Sequence, residues 1–209
     1  VPSGGGFSPK KLPELLRHKG IMGLYLFTLL ISSAIYVAYS YIEPFLKQVS
    51  LMPDDWVTTA LMVFGGAGLL GSIAFSKYYN RNRKLFITVN VAAMALCLLL
   101  LYPVSSGFLP VIMLLAVWGA TATAYNVAMQ SNMILVTTPE STPVAMSIFS
   151  GIFNLGIGSG AFFGGTICSD LSISYIGLAG GVLALIGLVY WVARLGNRIE
   201  PKDTLDKYL

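Results

Sequence analysis

No residue from 20 to 42 carries a charge, and the same holds for 56–76, 85–139, 141–169 and 171–193. A helix of about 20 apolar residues crosses the hydrocarbon of a bilayer. Four of these runs each match one crossing, and 85–139 is long enough for two. The segment "YPVSSGF" at 102–108 divides it, since proline, serine and glycine together favour a turn. The expected spans are 20–47, 55–76, 85–102, 108–136, 141–169 and 171–195. They predict an all-α membrane protein of six transmembrane helices.

Composition excludes the alternative of a water-soluble globule. Of 209 residues, 56% are hydrophobic and 11% charged, against about 25% charged in ordinary soluble domains. The excess of basic residues, net +4, does not point to nucleic acid, because of where those residues fall. Every lysine and arginine except Lys47 lies before the first span, between the second and third, or after the sixth. With six crossings these sites share one face, which the positive-inside rule makes cytoplasmic, with both termini there. Lys47 stands alone on the other side. Cys97 and Cys168 lie in different spans and imply neither a disulfide framework nor a metal site.

The segment 1–19, "VPSGGGFSPKKLPELLRHK", opens without methionine and reads as a flexible cytoplasmic connector preceded by further chain. The charged segment 196–209 reads as a cytoplasmic tail.

Polar residues inside the spans are the candidates for chemistry, because hydrocarbon cannot solvate them. In the first span Ser32, Tyr36, Tyr39 and Glu43, with Ser40 beside them, follow helical spacing, and Glu43 has no evident basic partner. Pro44 is expected to bend or unwind the helix beyond Glu43. Glu43 reads either as a group handling substrate or protons, or as an acid meeting interfacial water. Tyr41 reads as an interfacial belt residue. In the fourth span Thr123, Asn126 and Gln130 form a second stripe, with Trp118, Thr121 and Tyr125 adjoining. Its amides serve either a ligand's hydroxyl groups or interhelical bonding. Asn154 of the fifth span, on a face with Ser147 and Ser150, is a third candidate. Gly156, Gly160 and Gly164 are four apart, a spacing for close helix packing that also gives a smooth surface for sliding. His18 reads as a head-group neighbour, and Asp54 and Asp55 as helix-start residues.

Signatures of hydrolases, zinc proteases and nucleotide-binding loops are absent. The reading is therefore not an enzyme, with no cofactor and no metal.

Three segments resemble a known family. "AYSYIEPF", "GGAGLLGS" and above all "VAMSIFSGIFNLGIGSGAFFGG" are similar to the second half of bacterial sugar efflux transporters, in the drug:proton antiporter branch of the major facilitator superfamily. "LPELLRHKGIMGLYLFTLL" resembles the entry to their seventh helix, so the likeness runs from Leu12 onward. It implies that the six spans are helices 7 to 12 of a twelve-helix exporter in the bacterial inner membrane. Its first and fourth helices in each half line a central cavity, which would place Tyr36, Tyr39, Glu43, Thr123, Asn126 and Gln130 on substrate. The cargo would be a sugar or drug moved outward against protons, with Glu43 the proton-coupling candidate in this half. At 71–84, "GSIAFSKYYNRNRK", the superfamily's loop aspartate is missing while its basic cluster remains. The family's first half has no counterpart here, so the resemblance implies a missing N-terminal half or a second chain. A broad multidrug exporter stays open, as does a non-transporting membrane sensor or assembly scaffold.

Overall fold

A computed structural model of the chain describes residues 18–196. The connector and the tail, apart from their innermost residues, lie outside that range. All regular structure among the described residues is helical: α1 (Lys19–Tyr39), α2 (Ile42–Gln48), α3 (Asp54–Tyr78), α4 (Arg83–Leu100), α5 (Phe108–Leu135), α6 (Thr142–Asp170) and α7 (Ile176–Tyr190). A 3-10 turn, Ile173–Tyr175, precedes α7. A π turn, Trp191–Leu195, prolongs it. Six crossings result, with α1 and α2 together forming the first, and each is long and apolar enough to span a membrane. This is a multi-pass helical membrane protein. Observed bounds differ from the expected spans by only a few residues, because charged and turn-forming residues stop each helix.

The crossings alternate in direction, so the described charges collect at two ends. Lys19, Lys77, Arg81, Arg83, Lys84, Arg194 and Glu140 lie at one, hereafter the basic end. Glu43, Lys47, Asp54, Asp55 and Asp170 lie at the other, the acidic end. Lys47 is the one basic residue there among the described residues, and it supplies the partner that Glu43 lacked in the sequence reading: its ammonium sits 3.0 Å from Glu43 and 3.1 Å from Asp54.

In space the helices follow the order α6, α1, α7, α4, α5, α3, each packed on the next, with lighter contacts joining α1 and α6 to α5. α1 is the most enclosed crossing, while α3 and α6 are the least. Two seams are built on small residues. Along α6, Gly156 lies against Ser32, Gly160 against the Ser33 carbonyl and Gly164 against the Val37 carbonyl. Between α3 and α5, Gly71 admits the Ala120 carbonyl and Gly119 admits that of Phe64. Absent side chains let these backbones meet, the packing device of membrane helices. The glycine triplet of α6 is therefore a tight helix contact.

Tyrosine hydroxyls clamp the first seam at both ends. Tyr25 donates to the Ala145 carbonyl at 3.0 Å and Tyr41 to the Ala161 carbonyl at 3.0 Å. Tyr41, read from the sequence as an interfacial residue, thus also clamps the first crossing to α6. The core continues where Phe27 meets Tyr125 edge-on at 5.8 Å and stacks on Trp191 at 5.0 Å, tying α1 to α5 and α7.

Candidate functional site

Helices in hydrocarbon must satisfy their polar groups internally, and many serine and threonine hydroxyls here bond back to their own helix. Ser32 donates to the Thr28 carbonyl at 2.6 Å and Ser72 to the Gly68 carbonyl at 3.2 Å. Thr121 donates to the Val117 carbonyl at 2.9 Å and Ser147 to the Pro143 carbonyl at 2.9 Å. Ser33 and Ser159 share a bond of 2.8 Å across the α1–α6 seam. Such back-bonding removes these groups from ligand recognition. What remains unspent defines the site.

Tyr36 and Tyr39 stand out by this measure. Both are half-buried, and neither hydroxyl has a hydrogen-bond partner among the described residues, unlike Tyr25 and Tyr41 on the same crossing. Their rings meet edge-on at 5.8 Å. Tyr36 also meets Phe153 of α6 at 6.3 Å. Tyr39 stacks on Phe64 of α3 at 4.8 Å and meets Trp118 of α5 at 6.2 Å. Phe64 and Trp118 are themselves 5.2 Å apart. One aromatic array thus joins α6, α1, α3 and α5. The Trp118 indole N–H at its floor is buried without an acceptor. Such an array offers flat faces for stacking, with phenolic hydroxyls between them.

The remaining candidates divide. Asn126 and Gln130, half-buried on α5, bond to each other through the Gln130 Nε2 donor and the Asn126 Oδ1 acceptor. That leaves the Asn126 Nδ2 and Gln130 Oε1 for a ligand, two to three turns along α5 from Trp118. The amides bond within their helix, not between helices. Thr123, predicted to share their stripe, has its hydroxyl packed against Gly68 in the α3–α5 seam. Asn154 is exposed on α6 beside Phe153 and has no hydrogen-bond partner among the described residues. Ser32 is buried against Gly156 and leaves the stripe altogether.

Glu43 is separated from the tyrosines. α1 ends at Tyr39, and the backbone turns at Ser40 and Tyr41 before α2 begins. The break comes four residues before Pro44, not beyond Glu43. A proline lacks the N–H that would bond the carbonyl four residues earlier, and its ring crowds that carbonyl, here Ser40. Glu43 is accordingly an exposed acid of the acidic end. With Lys47, Asp54, Val57, Thr58, Leu61 and Met62 it lines an open recess of about 370 Å³ between α2 and α3.

The chain matches no protein-family model.

Among the polar pairs that sequence reasoning passed over is a buried one at the basic end. Tyr79 donates to Asn132 Oδ1 at 2.9 Å, a buried bond fastening the basic end of α3 to α5. His18, read as a head-group neighbour, is exposed and also caps α1, its Nδ1 accepting the Ile21 N–H at 3.4 Å. Among the described residues no group of side chains could hold a metal ion. Tyr79→Phe leaves the buried Asn132 carbonyl without a donor. The expected loss is about 2 kcal/mol of unfolding free energy, measured by denaturant titration in detergent.

Proposed function

We propose that this chain is one six-helix half of a secondary transporter of the major facilitator superfamily, exporting a sugar or related small molecule in exchange for protons. The observation that carries this reading is the aromatic array centred on Tyr36 and Tyr39, half-buried, spanning four crossings and holding hydroxyl groups not spent on the fold. An uncharged ligand with a flat face and hydroxyl groups matches that chemistry. Tyr36 and Tyr39 stack on it, and Asn126 and Gln130 supply one donor and one acceptor. Asn154 extends the polar surface on α6, and Glu43 adjusts proton and substrate access from the acidic end. Alternating access would come from rocking of two bundles about this midplane site.

A second bundle also suits the outer faces of the row. Gly65 and Gly66 on α3, and Gly151 and Gly158 on α6, have no neighbour within 4 Å of an added Cβ. Those two least enclosed helices flank the array, where a missing N-terminal half or a second chain would close the cavity. The proposed setting is the bacterial inner membrane with the basic end cytoplasmic.

The test is uptake into proteoliposomes by the protein assembled with its other half, driven by an imposed pH gradient. Gradient-dependent uptake of a labelled sugar, inhibited by other sugars, is the expected result. Inhibition by lipophilic cations alone would reassign the cargo to drugs. Absence of gradient-driven flux would leave a sensor or scaffold.

A further inference from the structure

The two ends of the molecule neutralise their cations differently. At the acidic end Lys47 is held by two carboxylates. At the basic end Lys77, Arg81 and Arg83 make no ion pair among the described residues. Lys77 and Arg81 instead flank the ring of Tyr78, at 5.5 and 5.6 Å from its centroid, and Arg83 lies 5.6 Å from that of Tyr79. The described charges of this end are six basic against one acidic, Glu140, and four of the six fall between residues 77 and 84. Lys77, Arg81 and Arg83 are therefore cations of this loop that no carboxylate among the described residues neutralises.

The position of the loop says which anion. It joins two crossings, so it lies where hydrocarbon gives way to head groups. Tyr78 is 45% exposed and Leu85 56% exposed, an aromatic ring and an alkyl side chain suited to that boundary. Guanidinium groups pair with phosphate through parallel hydrogen bonds. Cationic clusters directly beside a crossing attract anionic lipid.

We propose that the α3–α4 loop is a binding site for the phosphodiester of an anionic phospholipid, with Lys77 and Arg81 as its principal contacts, Arg83 behind them and Tyr78 against the glycerol and upper acyl chain. The proposal rests on the membrane-spanning reading and not on transport. Its test therefore stands even if the exporter reading fails.

Purified protein in detergent is titrated with phosphatidylglycerol or phosphatidylcholine, and retained lipid is counted by native mass spectrometry. Phosphatidylglycerol should be retained preferentially. Lys77→Gln and Arg81→Gln should each weaken its retention on the order of fivefold, as expected for one cation at an anionic surface, and leave phosphatidylcholine unchanged. Arg81→Lys keeps the charge but not the parallel hydrogen bonds, and should lose part of the preference, less than Arg81→Gln. Lys19→Gln removes one charge from the same end but away from the loop, and should change little. Equal losses for Lys19→Gln and Arg81→Gln would show a diffuse field and overturn the local site. Displacement of the lipid by millimolar inorganic phosphate would assign the site to a soluble anion and overturn the lipid assignment.

Discussion

Gly119→Val is expected to lower unfolding stability by about 3 kcal/mol. For a chain of this size that corresponds to a fall of roughly 10 °C in thermal midpoint. A Cβ at 119 would overlap the Phe64 carbonyl. Both partners at that contact are helical backbone, so no side chain can rotate away, and α3 must leave α5. The shift would also pull Phe64 from Tyr39 and Trp118, so the aromatic array should loosen with the seam. Gly65→Val is the matched comparison. It places the same side chain on α3 where nothing lies within 4 Å, and the six-helix chain alone should melt unchanged. Scanning fluorimetry in detergent reads both. Equal midpoints for Gly119→Val and the parent would mean that the close approach of α3 to α5 is wrong.

On the transport proposal, Tyr36→Ala should reduce transport efficiency of the assembled protein by about 30-fold. Ring stacking contributes about 1 kcal/mol, and a hydroxyl bond to cargo about another. Tyr36→Phe removes only the second contribution, so about a fivefold loss is expected, expressed as a raised KM for hydroxyl-bearing cargo. Tyr25→Phe is the informative contrast: its hydroxyl is engaged with the Ala145 carbonyl, so the cost should appear in stability, with KM unmoved. If Tyr36→Phe and Tyr25→Phe behave alike, the distinction between free and clamping tyrosines fails.

Helix number and bounds were legible because charged residues and "YPVSSGF" interrupt apolar runs, and the bilayer fixes how long such runs must be. The glycine triplet of α6 was likewise readable, since small residues four apart leave a flat stripe wherever a partner lies. What periodicity could not separate was the fate of similar side chains. Tyr36 and Tyr41 are both tyrosines of one crossing, yet Tyr41 meets a carbonyl of α6 and Tyr36 meets none. Thr123 shares the spacing of Asn126, but its hydroxyl fills the space opened by Gly68 on another helix. Only the register between α3 and α5 reveals that pairing. Phe64 and Phe153 went unnoticed because apolar rings in an apolar span create no contrast, and Trp118 was read only as adjoining the polar stripe of α5, not as a contact of Tyr39. The break before Pro44 was detectable in principle: the deleted hydrogen bond belongs to the carbonyl four residues upstream. Reading the disruption as lying beyond Glu43 joined that acid to a stripe it does not share.

The turn at Ser40 and Tyr41 also divides mechanical loyalties. α1 is fastened to α6 along its length, whereas α2 is strapped to the start of α3 through Lys47 and Asp54. α1 touches α3 through the stacking of Tyr39 on Phe64. The first crossing thus changes its principal neighbour from α6 to α3 at Ser40 and Tyr41, the one place along it where the helical hydrogen bonding is interrupted.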